Sequence, residues 1–195
     1  MIISGMDLEQ LAGQQSETKL LESRVIFVSE AINSTVAKRV ISNLLAMDAQ
    51  DSKKPIYMYL NSPGGEVNSG YAIYDTMRFI GSEVRVICTG LTASIATIML
   101  LGAPKKHRYS MPNTRLLIHQ PLIGGSIQGQ ASDLEITAKE ILKTRAKINQ
   151  LLAKECGQPL EKVEEDTVRD YWMNTQEALE YGLITKIVAN IKEIV

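Results

Sequence analysis

Between residues 24 and 101 the sequence runs strand, helix, strand, helix, strand, helix. That alternation constrains the fold more than any other feature. Consecutive strand–helix units in one domain require crossover connections and hence a mainly parallel sheet. Residues 24–28 (RVIFV) form a β-branched run of the kind found in buried strands. Over 33–49, Val36, Val40, Leu44 and Leu45 recur at helical spacing and leave Lys38 and Arg39 for solvent. Residues 55–60 (PIYMYL) predict a second strand, and 61–65 (NSPGG) a turn. Residues 67–80 predict a helix that turns Tyr71, Tyr74, Met77 and Phe79 mainly to the core. The pair repeats at 84–88 and 93–101, and 115–119 supplies a further strand.

Beyond a glycine-rich passage at 124–130, Ser132 followed by Glu135 has the pattern of a capping box. It opens a helix whose apolar stripe (Leu134, Ala138, Ile141, Ile148, Leu152) runs to about Lys154, where Gly157 and Pro159 stop it. About 23 helical residues span about 35 Å, so this rod is expected to project beyond its domain and to need a partner for part of its apolar face. Asn174 with Glu177 caps a last short helix, and 183–188 closes the sheet. Residues 1–20 are polar without a clear period and predict either an arm, which would be a mobile axial region, or a short helix. No repeat or linker divides the rest, which implies one domain over 21–195.

Composition narrows the function. The 195 residues carry 21 Lys and Arg against 22 Asp and Glu, a net charge of −1, which argues against nucleic acid as a partner. Two cysteines, Cys88 and Cys156, are too few for a disulfide scaffold and lack metal-site or redox spacing. The longest apolar stretch, about 95–103, is well short of the roughly 20 residues that span a bilayer. The first 14 residues lack a cationic start and an apolar run. The expectation is a soluble, cytoplasmic protein with no membrane partner.

Two histidines make the search for chemistry short. His107, between Lys106 and Arg108, reads as a surface-loop residue whose pKa the neighbouring cations lower. His119 ends an apolar strand, and the carboxyl ends of parallel strands collect active sites; a hydrogen-bonded core histidine is the plainer alternative. Ser94 follows a strand and opens a helix, a place that suits either an N-cap or a nucleophile. The G-x-S-x-G elbow is absent. Gly64-Gly65 lies at another strand-to-helix turn, where the missing Cβ atoms let backbone N–H groups approach a ligand; an ordinary turn has the same composition. Asp166 and Asp170 are candidate carboxylates in an acidic segment. Each feature alone has a plain structural explanation. Together they are the parts of a Ser–His–Asp relay beside a backbone oxyanion hole.

The chain resembles the proteolytic subunit of the Clp protease family, self-compartmentalised serine peptidases. The matching passages include YLNSPGG (59–65), AIYDTM (72–77), IHQP (118–121), QGQA (128–131), GQPLE (157–161), DTVRD (166–170) and EALEYGLI (177–184). The resemblance implies a crotonase-like α/β fold of repeated βαβ units, with a handle region over about 120–155 that meets the opposing ring. It makes Ser94 the nucleophile, His119 the general base and Asp170 its orienting acid. The backbone N–H groups of Gly65 and Ile95 would form the oxyanion hole, and Ile123, Gly124, Gly125, Ser126 and Ile127 a peptide-binding strand. It implies two stacked heptameric rings of this chain, a tetradecamer, alone or mixed with a paralogous subunit. An AAA+ unfoldase of the ClpX or ClpC/ClpA type would deliver unfolded polypeptide, docking near Tyr57 and Tyr59. No metal or cofactor is implied in this chain, and a bacterial cytoplasm is the expected setting.

Three departures stand out. The nucleophile sits in Thr92-Ala93-Ser94-Ile95-Ala96 rather than the family's Ala-Ala-Ser-Met-Gly, so a β-branched residue adjoins the oxyanion site. The glycine-rich passage is about two residues longer, and the family's N-terminal Ile-Pro-x-Val stretch is missing. These motivate a second reading, a catalytically weak structural subunit of a mixed barrel. A third, an acyl-CoA enzyme on the related crotonase fold, would not need the Ser–His pair.

Overall fold

The computed structural model describes residues 8–122 and 129–194. Helix α1 (Leu8–Glu22) precedes strand β1 (Val25–Val28), helix α2 (Ser34–Gln50), strand β2 (Ile56–Ser62), helix α3 (Val67–Phe79), strand β3 (Val84–Ala93) and helix α4 (Ile95–Leu101). Short strands β4 (Arg108–Ser110) and β5 (Arg115–Ile118) lead to the long helix α5 (Ala131–Cys156). Helix α6 (Leu160–Asp166), strand β6 (Tyr171–Met173), helix α7 (Thr175–Tyr181) and strand β7 (Lys186–Ile187) complete it. Among the described residues the seven strands form one sheet, ordered β1-β2-β3-β4-β7, with β5 branching from β3 and carrying β6. All pairings are parallel except β5–β6.

The branch is what positions the site. The first half of β3 pairs with β4 through Val86, Ile87 and Cys88. Its last residues, Leu91 to Ala93, pair with β5 through Arg115 to Leu117. The far end of β3, just before Ser94, therefore lies beside the end of β5, just before His119.

Helix α2 matches its sequence pattern. Asn33 accepts the Val36 N–H at 2.9 Å as the N-cap, and Val36, Val40, Leu44 and Met47 turn inward. Burying such side chains stabilises by about 1.5–3 kcal/mol each. Leu45, on the shoulder of that face, is exposed. Phe79 departs from expectation more sharply: it is 85% exposed, because it occupies the last position of α3 and points away from the face that Ile73 and Met77 bury. The capping box at Ser132 does not form. The N-cap of α5 is Gln130, without a side-chain cap, whereas the box at Asn174 and Glu177 is present. Around its N-terminal half α5 is solvent-exposed, Leu134, Ile136 and Leu142 included, in keeping with a projecting rod. Of the two readings of the N-terminal region, the described residues take the helix, α1. Elements α6 and β6 were not legible in the sequence, and β7 is shorter than the 183–188 strand expected.

Both cysteines are free and buried. Burial pushes each thiol up to about 12 from an ordinary 9.0. The native protein is accordingly expected to react with neither equivalent of a thiol-disulfide reagent until denaturant opens it. Unfolded thiols ionise first, so these two groups contribute stability below about pH 9 that is lost as pH rises towards 12. Denaturant midpoints of the wild type and a Cys88→Ser/Cys156→Ser variant, followed from pH 8 to 10.5, test this. The wild type should lose stability more steeply.

Candidate active site

At the end of β3 the chain turns into α4 through Ser94, whose φ of 57° and ψ of −128° lie in a sparsely populated region for a non-glycine residue. The surroundings over-determine that turn. The Ser94 N–H donates to the Leu117 carbonyl at 2.9 Å, and the Ser94 carbonyl accepts the Thr97 N–H at 3.0 Å and the Thr97 hydroxyl at 2.6 Å. The Ser94 hydroxyl caps nothing in α4, which removes the N-cap reading. Its Oγ lies 2.7 Å from His119 Nε2.

His119 stands one residue beyond β5, its side chain 14% exposed. Nδ1 lies 3.2 Å from Asp170 Oδ1. The approach is oblique for a directed hydrogen bond, and Nδ1 has no other partner among the described residues. The Asp170 carboxylate is therefore the acceptor its proton can reach. With that proton on Nδ1, Nε2 is left to accept from Ser94. The core-histidine alternative gives no account of this serine–imidazole–carboxylate line.

Asp170 reaches the site because β6, which it immediately precedes, pairs antiparallel with β5 (Leu116 opposite Met173, Ile118 opposite Tyr171). Gln120 ties the two segments together. Its N–H donates to the Thr167 carbonyl at 2.7 Å and its side-chain amide to the Val168 carbonyl at 2.8 Å. Asp166 is occupied elsewhere, accepting from Lys162 at 2.8 Å and from the Tyr181 hydroxyl at 3.0 Å. Gln120 and Thr167 went unread as site-builders; the IHQP and DTVRD passages were their only signal.

The Gly64–Gly65 loop packs onto the serine turn. At Gly64 φ is +89°, and a Cβ there would lie 2.6 Å from Ser94 Cβ and 2.7 Å from the Ala93 carbonyl. The loop is pinned to Ile32, whose N–H donates to the Gly64 carbonyl and whose carbonyl accepts the Glu66 N–H, both at 2.8 Å. Among the described residues, neither the Gly65 nor the Ile95 amide donates a hydrogen bond to the chain. Ile95, the β-branched departure, does not disturb the turn. It is 2% exposed and its Cγ1 fills the space where a Cβ at Gly70 would stand. Residues 123–127, the expected peptide-binding strand, lie outside the described residues.

His107 is a correction. Its side chain is only 12% exposed, with Nδ1 2.8 Å from the Tyr109 hydroxyl and Nε2 2.7 Å from Glu83. Burial first, then Arg85 and Lys106, lowers its pKa against the opposing pull of Glu83. It is a paired structural residue of the 3₁₀ turn Lys105–His107.

A strained serine in contact with an imidazole, with a carboxylate near the ring's other nitrogen and two unclaimed amides beside them, has the parts that acyl transfer needs. A model of the Clp protease family matches residues 9–191. The chain belongs to the Clp protease family. It is 48% identical over 177 residues, 91% of this chain and 89% of the relative, to the ATP-dependent Clp protease proteolytic subunit of Ligilactobacillus salivarius (strain UCC118). The protein is thus a Clp-family peptidase, and the parallel α/β architecture is that of the family. Among the described residues no group of three or more His, Cys, Asp or Glu is placed to hold a metal ion, and no helix is long and apolar enough to cross a membrane.

Proposed function

We propose that the chain is the serine endopeptidase subunit of a barrel-shaped compartmentalised protease, with Ser94 as nucleophile. His119 takes the Ser94 proton as Oγ attacks the scissile carbonyl and returns it to the leaving amine. Asp170 holds the imidazole in the required tautomer and offsets the charge it gains. The Gly65 and Ile95 amides stabilise the oxyanion. Water then repeats the sequence on the acyl-enzyme, without metal or cofactor. The observation that carries this reading is the 2.7 Å contact from Ser94 Oγ, a hydroxyl free of any capping duty, to His119 Nε2.

The family supports an oligomeric barrel with ATPase partners. Two heptameric rings of this chain, alone or with a paralogous subunit, would enclose the sites, and the exposed half of α5 would meet the opposing ring. A ClpX- or ClpC/ClpA-type AAA+ unfoldase would deliver unfolded polypeptide, docking on the apolar cluster of Ile87, Tyr109, Val188 and Ile194 with Tyr57 and Tyr59. A bacterial cytoplasm suits this role. A catalytically weak structural subunit would have no need of the 2.7 Å contact between Ser94 and His119, which supports the peptidase reading instead.

A fluorophosphonate probe is expected to form a covalent adduct at Ser94, located by peptide mass spectrometry, and to form it at least tenfold more slowly in His119→Ala. Labelling elsewhere, or labelling indifferent to His119, would reject the mechanism.

A further inference from the structure

On the face of the sheet opposite the main core, Tyr57 and Tyr59 of β2 stand beside Arg85 and Ile87 of β3, and Ile87 beside Tyr109 of β4. The 3₁₀ turn Ile191–Glu193 and the adjoining Ile194 wall a cleft of about 120 Å³ over this face, lined also by Tyr59, Ile87, Met111 and Val188. Polar contacts fasten that wall to the sheet. Arg85 Nη1 donates to the Ile194 carbonyl at 2.9 Å and to the Tyr57 hydroxyl at 3.1 Å, and Lys186 Nζ donates to the Glu193 carbonyl at 3.0 Å. Arg85 depends in turn on Glu83, whose Oε1 lies 3.5 Å from its Nε. The same oxygen lies 2.7 Å from His107 Nε2. Neither nitrogen has a directed hydrogen bond among the described residues, so the guanidinium and the imidazole share one carboxylate oxygen.

The groups facing the imidazole are Glu83 and Arg85 from β3 and its approach, Lys106 from its own turn, and Tyr109 from β4. Lys106 Nζ takes the other carboxylate oxygen, Oε2, at 3.2 Å. In the neutral ring the Tyr109 hydroxyl donates to Nδ1 at 2.8 Å and the Nε2 proton faces Glu83. A second proton has to enter at Nδ1. That makes Nδ1 a donor, so Tyr109, itself only 7% exposed, must turn its own hydroxyl proton away. It also sets a new cation against the oxygen that steadies Arg85. Burial, with Arg85 and Lys106, holds the His107 pKa below its ordinary 6.5, so this proton arrives only on acidification.

We propose that Glu83, His107 and Arg85 form a proton-operated latch on this wall of the apolar cleft. While His107 is neutral, Arg85 is free to hold the Ile194 carbonyl and the cleft keeps its shape. When His107 takes a proton, Glu83 is drawn to the imidazolium, Arg85 is repelled and gives up Ile194, and the turn moves off Ile87 and Tyr109. The cleft then loses its grip on an apolar side chain presented by a partner. That last consequence rests on the reading of this cleft as the unfoldase's seat; the latch itself does not.

The test uses the full-length assembled protein labelled at its isoleucine δ1 methyls and followed by methyl NMR from about pH 7.5 to about 5. In the wild type the Ile87, Ile191 and Ile194 signals should shift together, with a midpoint below 6.5. In His107→Gln, which keeps a side-chain donor but takes no proton, they should hold their neutral positions throughout. In Arg85→Met, and independently in Glu83→Gln, they should sit near the wild-type acid positions at every pH. Acid effects arising elsewhere in the assembly occur in wild type and His107→Gln alike and drop out of the comparison. Ile191 and Ile194 signals that stay fixed in the wild type, or that move equally in His107→Gln, overturn the latch. The second measurement is degradation of an unfolded protein with a ClpX-type unfoldase, divided by unassisted peptide hydrolysis. Between about pH 7.5 and about 5.5 this ratio should fall about fivefold or more further in the wild type than in His107→Gln. Methyl shifts as expected with no such difference in the ratio support the latch and overturn docking at this cleft.

Discussion

Ser94→Ala is expected to lower kcat/KM for peptide hydrolysis by about 10⁴-fold or more, since loss of the nucleophile in a serine relay costs up to about 10⁶. In the proposed relay the three side chains work on one proton. Removing His119 as well should therefore add little, and Ser94→Ala/His119→Ala should match Ser94→Ala within about threefold, because members of such a unit are grossly non-additive. Folding should be nearly unaffected. The Ser94 Oγ caps no helix and, among the described residues, its only hydrogen bond is to His119, so the thermal midpoint should stay within a few degrees of the wild type. A Ser94→Ala protein that retains hydrolysis within tenfold, purified free of other peptidases, would defeat the mechanism.

Gly64→Ala is expected to have the second largest effect without touching any side chain of the relay. The added methyl would lie 2.6 Å from Ser94 Cβ and 2.7 Å from the Ala93 carbonyl, on a backbone whose φ is +89°. Neither neighbour is a flexible side-chain end. Either the loop lifts away from Ile32 or the serine turn is pushed towards His119. Displacement of reacting atoms by 1 Å can cost about 10²-fold, so kcat/KM should fall at least that far. The same strain should destabilise the fold by about 1–3 kcal/mol. Steady-state kinetics with denaturant unfolding reads both. Activity within threefold of the wild type would show that the loop is softer than its hydrogen bonds to Ile32 imply.

The parallel core was legible because it is written in periodicity. The α2 face, the β-branched strands and the Asn174 cap each repeat a local rule that a reader can apply without the fold. Ser94 and His119 were legible for a different reason, since each sits at the carboxyl end of a strand. What local rules missed was decided by tertiary contacts. Strand β6 is only three residues long, too short for a period to show, and exists because β5 offers it an edge. Ser132 has the residues of a cap, yet the N-cap of α5 falls two positions earlier, at Gln130, and Ser132 lies inside the first turn. Phe79 and Leu45 are apolar and adjoin the buried face in sequence, but the helical turn points both away from it into solvent. His107 looked solvated among cations, and Glu83 and Tyr109, distant or unremarked in sequence, enclose it instead.

The antiparallel β5–β6 pairing also sets an order in time. Translation delivers Ser94 and His119 well before Asp170, and the carboxylate is placed only when Tyr171–Met173 has been made and has zipped onto Leu116–Ile118. A growing polypeptide therefore carries Ser94 and His119 with no carboxylate behind the imidazole, and the three side chains meet only once β6 has been made and paired.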